Sequence, residues 1–249
     1  MARRWVAAAI ALTLAGCGQR EPGRVDPRDY DSFWLWAGVT PQPVLDQART
    51  LYLLDGELRA NAPYLPLRPG TPRLPGKALW LVVRTDSLDW PERALPDLTA
   101  RLDRWAAAGN RVEGLQVDFD ARTRQLGKYA DFLRAVRAAL PRRYRLSITG
   151  LLDGSANGDP NVVADLAGVV DELVVQTYQG RATIPTYADY FARARSWRVP
   201  FKVGLIQNGV WIEPASLAGA RGFRGYVVFL INPKGRRQAA DQPTARSAR

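Results

Sequence analysis

Between Glu113 and Asp120 the chain alternates: Gln116, Asp118 and Asp120 are polar, and Leu115, Val117 and Phe119 fill the gaps. Successive side chains of a strand point to opposite faces, so the two sets project in opposite directions. The segment sits between helix-like stretches, and strands joined through helices are covered on both faces. A polar face on a doubly covered strand is a contradiction in a flat sheet. It is none in a (β/α) barrel, where the outer face packs on a ring of helices and the inner face opens, at the carboxyl ends, into a mouth that takes polar side chains.

Seven further apolar runs, at 33–37, 51–54, 79–84, 145–149, 172–178, 201–206 and 225–230, bring the expected strands to eight. Helical periodicity fills most of the gaps. Leu98, Leu102 and Trp105 share one face of 95–107, and Tyr129, Phe132, Leu133, Val136 and Leu140 share one face of 126–140. Shorter helices are expected at 44–49, 162–166, 187–197 and 214–220. Pro63, Pro66, Pro69, Pro72 and Pro75 forbid a regular helix in the second crossover, which becomes a loop or an added hairpin. The expected fold is α/β: a small (β/α)8 TIM-type barrel over residues 30–233 with an irregular, proline-rich second crossover. A seven-stranded or an open doubly wound sheet would satisfy the same runs.

The flanks read differently. Arg3 and Arg4 precede an apolar run from Trp5 to Thr13 that is too short to span a bilayer, which is the pattern of a secretory leader. Leu14-Ala15-Gly16-Cys17 resembles the lipobox of bacterial lipoproteins, which implies cleavage after residue 16 and a lipid on Cys17; a buried core cysteine is the alternative. Gly18, after the cysteine, points in that resemblance to the outer membrane, facing the periplasm. Residues 17–29 are charged and rich in Pro and Gly, a tether. From Lys234 to Arg249 no apolar residue larger than Ala occurs, and a disordered tail is expected.

Composition removes whole reaction classes. The chain of 249 residues has no His, and its one Cys is the residue a lipid would occupy. That rules out a Ser-His-Asp triad, a Cys-His pair, His- or thiolate-held zinc and an internal disulfide. Chemistry falls to carboxylates, Tyr, Lys or a hard metal held by oxygen, and glycoside cleavage needs only carboxyl groups. The 153–159 loop, Asp-Gly-Ser-Ala-Asn-Gly-Asp, lacks the acidic closing residue of a calcium loop and reads as turn chemistry, so neither metal nor cofactor is expected. The net charge of +11 is spread over scattered Arg residues without a basic helix, a pattern that argues against nucleic acid and for anionic envelope polymers or lipid head groups.

The stretch from Glu113 to Asp120 resembles the fourth-strand motif of the family 18 glycoside hydrolases, the chitinase-like barrels, whose pattern is Asp-Gly-x-Asp-x-Asp-x-Glu. Glu113 stands at the first Asp, Gly114 matches, Gln116 replaces the second Asp, Asp118 matches the third, and Asp120 stands at the catalytic Glu. The resemblance implies that Asp120 protonates the glycosidic oxygen and that Asp118 orients the substrate's acetamido group. Asp for Glu draws the carboxyl back by roughly 1 to 1.5 Å, and a displacement of that order costs about a hundredfold in rate. Tyr178 resembles the tyrosine that ends the family's sixth strand, with Gln179 in place of the following Asp, and Phe229 sits near the eighth-strand Trp under the sugar. Over residues 30–233 the chain is similar to a group of uncharacterised bacterial lipoproteins with glycosidase-like barrels. The expected site therefore gathers Asp118 and Asp120 as catalytic carboxylates with Gln116, Tyr178, Gln179, Asp86, Trp36, Phe229 and Gln207 around a glycan. The expected protein is a monomer, tied to the membrane at Cys17. Three readings stay open: a hydrolase, a sugar-binding barrel without turnover, and a structural or assembly lipoprotein in which Asp118 and Asp120 merely pair with Arg84 or another inward base.

Overall fold

The computed structural model describes residues 23–60, 62–68, 70–119, 126–151, 166–192 and 194–233. Eight strands form one parallel cylinder: β1 (Ser32–Leu35), β2 (Thr50–Leu58), β3 (Ala78–Thr85), β4 (Arg111–Phe119), β5 (Arg145–Leu151), β6 (Glu172–Gln176), β7 (Phe201–Ile206) and β8 (Phe223–Phe229). Each strand pairs with the next, and β8 returns to β1, where Phe33 lies opposite Val228 and Trp34 opposite Phe229. The closed ring is the small (β/α)8 barrel that the alternating strand calls for, and it leaves no exposed parallel edge.

Two apolar sets follow from the alternation. Facing outward, Leu79, Leu81 and Val83 of β3 and Leu115 and Val117 of β4 pack on helices α1 (Ala94–Ala107) and α2 (Leu126–Ala139). Helix α1 contributes Leu98, Leu102 and Trp105, and burying such a leucine is worth roughly 1.5–3 kcal/mol. Facing inward, Trp34, Tyr52, Leu54, Trp80, Val82, Val174, Ile206 and Val227 fill the cylinder, with Tyr52 and Trp80 stacked at 5.8 Å. Gly114 allows β4 and β5 to approach, because a Cβ there would stand 1.9 Å from the Arg145 carbonyl oxygen.

The connections depart from expectation where prolines and turns compete with helix. Residues 44–49 form a 3-10 turn, Pro43–Gln47, instead of a helix. The 187–197 helix stops early as α3 (Tyr187–Phe191) with a separate 3-10 turn at Ala194–Ser196, and 214–220 is reduced to the 3-10 turn Leu217–Gly219. Strand β2 runs past the end of its 51–54 apolar run, through the turn-like pair Asp55-Gly56, by way of a register shift between Leu54 and Gly56. Beyond it Leu65–Pro66 adds a two-residue antiparallel strand, the hairpin form of the proline-rich crossover. Strand β6 ends at Gln176, and Tyr178–Gln179 instead pairs with Ala182–Thr183 in a small hairpin.

Residues 23–29, expected as tether, lie against the barrel. Val25 is 2% exposed, its N–H donates to the Gly209 carbonyl at 2.9 Å, and its own carbonyl accepts from Asn208 at 2.9 Å. The leader, Cys17, Asp120, the 153–159 loop, most of the expected helix at 162–166 and the tail lie outside the described residues. Among the described residues no helix is long and apolar enough to cross a membrane.

Candidate functional site

The lower half of the cylinder is closed by a polar chain that draws on six strands. Trp34 Nε1 donates to Gln116 Oε1 at 2.6 Å, and Gln116 Nε2 donates to Ser147 Oγ at 2.9 Å. Ser147 Oγ donates to Glu172 Oε1 at 3.0 Å, which also accepts from Tyr52 OH at 2.8 Å. Lys202 Nζ donates to Tyr52 OH at 3.1 Å and stands 3.6 Å from Glu172 Oε2. Every group in this chain finds a partner, as buried polar groups must. Burial, followed by the Glu172 charge, holds the Tyr52 phenol well above its ordinary range. Gln116, expected to touch substrate, is fully buried with both ends of its amide engaged; it works as a tie beneath the mouth and does not reach it.

Above that floor, one register row carries Glu57 of β2, Arg84 of β3 and Asp118 of β4 at the carboxyl ends, and Thr149 of β5 follows directly after the last paired position, Val117 with Ile148. Asp118 is 7% exposed, and Thr149 Oγ1 donates to its Oδ1 at 2.7 Å. Arg84 makes no ion pair among the described residues; its guanidinium lies over the Trp36 ring, 5.1 Å from the centroid, so pairing of Arg84 with Asp118 is not what holds the mouth. Trp36 meets Phe229 edge to face at 5.4 Å, and Phe229 meets Tyr178 at 5.6 Å. The result is an aromatic wall, with Trp36 and Phe229 half-buried, in a mouth whose β2–β5 side carries charge and hydroxyl groups.

Other expected members serve elsewhere. Gln207 exchanges amide hydrogen bonds with Gln42 at 2.9 and 3.0 Å and accepts from the Ile231 N–H at 2.9 Å, stapling the loop after β1 to the segment after β8. Asp86 is exposed and accepts from the Ala60 N–H at 3.0 Å, which ties down the end of β2. Gln179 is exposed on the hairpin after β6. The structure thus brings Asp118, Trp36, Tyr178 and Phe229 to the mouth and sets Gln116, Gln207, Asp86 and Gln179 around or beneath it. Glu57, Arg84 and Thr149 complete the set. The sequence carried a signal for Arg84 and Thr149 as the last polar residues of their runs, but none for Glu57, which lies beyond an apparent turn.

Several solved structures are similar in outline. The xylanase and alpha-amylase inhibitor protein XAIP-II from Scadoxus multiflorus is 12% identical over 80% of this chain and 92% of its own, with a TM-score of 0.49. Tamarind chitinase like lectin is 11% identical over 80% and 94%, with a TM-score of 0.49. The Bacillus cereus spore cortex-lytic enzyme SleL is 17% identical over 71% and 50%, with a TM-score of 0.44. No curated protein matches the sequence. A family model does match, over residues 76–213, from the turn before β3 to beyond β7, more than half of the chain: the protein belongs to the family described as a domain of unknown function, DUF3142.

Proposed function

We propose that this barrel recognises a carbohydrate polymer of the cell envelope at its carboxyl-end mouth. The observation that carries the reading is the joining of the Trp36–Phe229–Tyr178 wall to the Asp118–Thr149 pair across one mouth. Aromatic faces stack on the apolar faces of sugars, while a carboxylate and a hydroxyl accept and donate the hydrogen bonds of sugar hydroxyls. Hydrolysis belongs to the same proposal as its finer half: Asp120, two residues beyond Asp118 on the same strand pattern, is the proton donor and Asp118 the orienting carboxylate.

Location is part of the reading. Gly23 to Val25 joins the barrel at the loop after β7, on the mouth side, beside exposed Val210 and Ile212. A lipid on Cys17, six residues earlier, would hold that side within about 20 Å of a membrane surface.

The test compares wild type, Asp118→Asn and Asp120→Asn on a glycan array and in turnover of chitin-like, peptidoglycan-like and neutral glucan oligomers. Binding by the wild type, weakened about tenfold by Asp118→Asn, is the expected result; turnover lost in Asp120→Asn with binding kept identifies a glycosidase. Binding without turnover identifies a sugar-binding barrel. Neither binding nor turnover removes the carbohydrate reading and leaves a structural or assembly lipoprotein on a degenerate barrel.

A further inference from the structure

A second cavity, of about 440 Å³, lies outside the barrel between the proline-rich crossover and α1, lined by Pro66, Leu67, Arg68, Arg101, Arg104 and Trp105. Its charge is unbalanced. Arg101 and Arg104 stand one turn apart on the same face of α1. Arg101 is spent on Asp55, with Nη2 donating to Oδ1 at 2.8 Å and Nε donating to Oδ2. Asp55 is fully buried and also accepts from the Tyr64 hydroxyl, so its oxygens are committed. Among the described residues neither Arg68 nor Arg104 has an ion-pair partner, and the Arg68 Nε is buried without an acceptor. Burial pushes the Arg68 guanidinium below its ordinary range, an effect the Asp55 charge only partly offsets.

A buried guanidinium N–H without an acceptor is costly, and three cations around one committed anion repel one another. An incoming anion relieves both. Trp105, Pro66 and Leu67 keep part of the wall apolar, which strengthens charge interactions at the opening. A planar or tetrahedral oxyanion matches the guanidinium fork.

We infer that this cavity is a binding site for an oxyanion, the phosphate or carboxylate of an acidic ligand, held by Arg68 and Arg104 with Arg101 fixed by Asp55 as the positioned third cation. The site is separate from the mouth and does not depend on what the mouth binds. Its two sources of charge, phosphate and carboxylate, are distinguished by the probe used.

The test titrates the barrel-containing chain with inorganic phosphate and, separately, with glucuronate by calorimetry, in wild type, Arg68→Gln, Arg104→Gln and Asp118→Asn. Saturable binding of at least one probe is expected, weakened roughly tenfold or more by each arginine variant and unchanged by Asp118→Asn. Phosphate alone marks a phosphate site, glucuronate alone a carboxylate site, and both a general oxyanion site. Arg104 is exposed, so its variant keeps the fold and remains informative if Arg68→Gln unfolds. No saturable binding of either probe, affinity unchanged in Arg104→Gln, or loss of binding in Asp118→Asn would overturn the inference.

Discussion

Replacing Asp55 by Asn should destabilise the protein by about 3 kcal/mol, although the side chain lines neither proposed site and touches the outer one only through Arg101. Asp55 is fully buried, and its carboxylate receives Arg101 through two nitrogens and the Tyr64 hydroxyl. Asn keeps the shape but must turn its NH2 toward one of these donors, leaving the guanidinium without a counter-charge. Breaking a buried pair by removing one partner costs about 3–5 kcal/mol; the Arg101 side chain keeps 20% exposure, so solvent recovers part of its charge and the lower end applies. In a protein of this size that lowers the melting temperature by about 6–12 °C. Denaturant unfolding would show a lower midpoint at unchanged slope. In a double-mutant cycle, Arg101→Met added to Asp55→Asn should cost less than the two changes summed, because the second removes the stranded cation. A loss below about 1 kcal/mol for Asp55→Asn, or an additive cycle, would refute the reasoning.

Two further outcomes follow from close approach and from ionisation. Gly114→Ala places a Cβ 1.9 Å from the Arg145 carbonyl oxygen, and since backbone cannot swing aside in a closed barrel, a loss of at least about 2 kcal/mol is expected by chemical denaturation; unchanged stability would mean that β4 and β5 stand further apart. Tyr52 and Tyr64 are both raised, first by burial and then by the neighbouring carboxylates Glu172 and Asp55. Unfolded tyrosine ionises near pH 10 while these two stay protonated, so their contribution is complete below about pH 10 and lost above it, at about 1.4 kcal/mol per pH unit for each. Tyr64→Phe should flatten the alkaline limb by one proton, as read from melting temperature against pH.

Much of the architecture was legible because burial on two faces leaves a plain mark: the runs 79–84 and 201–206 are almost wholly apolar and become β3 and β7. Helix α2 follows from its stripe through Tyr129, Leu133 and Val136, all buried. The second apolar run ends at 54 because Asp55-Gly56 reads as a turn, whereas Tyr64 and Arg101 take the Asp55 charge and Gly56 makes room for the Tyr64 ring, 2.4 Å from where a Cβ would be. The same apparent turn hides Glu57 from a reading of the sequence. The alternation placed Gln116 and Asp118 correctly on one face but could not separate depth: Gln116 lies where the cylinder is filled and Asp118 where it opens. The Trp34–Gln116–Ser147–Glu172–Tyr52–Lys202 chain left no trace, since its members are isolated polar residues brought together only by closure of the ring. Gln207 and Asp86 stand at strand ends, where loops must also be tied, and loop hydrogen bonds take them.

The most direct test of the account is calorimetric titration of the oligosaccharide that binds best on the array into wild type, Asp118→Asn and Arg68→Gln. Sugar recognition at the mouth predicts an affinity about tenfold weaker in Asp118→Asn and unchanged in Arg68→Gln for a neutral oligosaccharide. Equal affinity for wild type and Asp118→Asn, with both proteins melting alike, would contradict it.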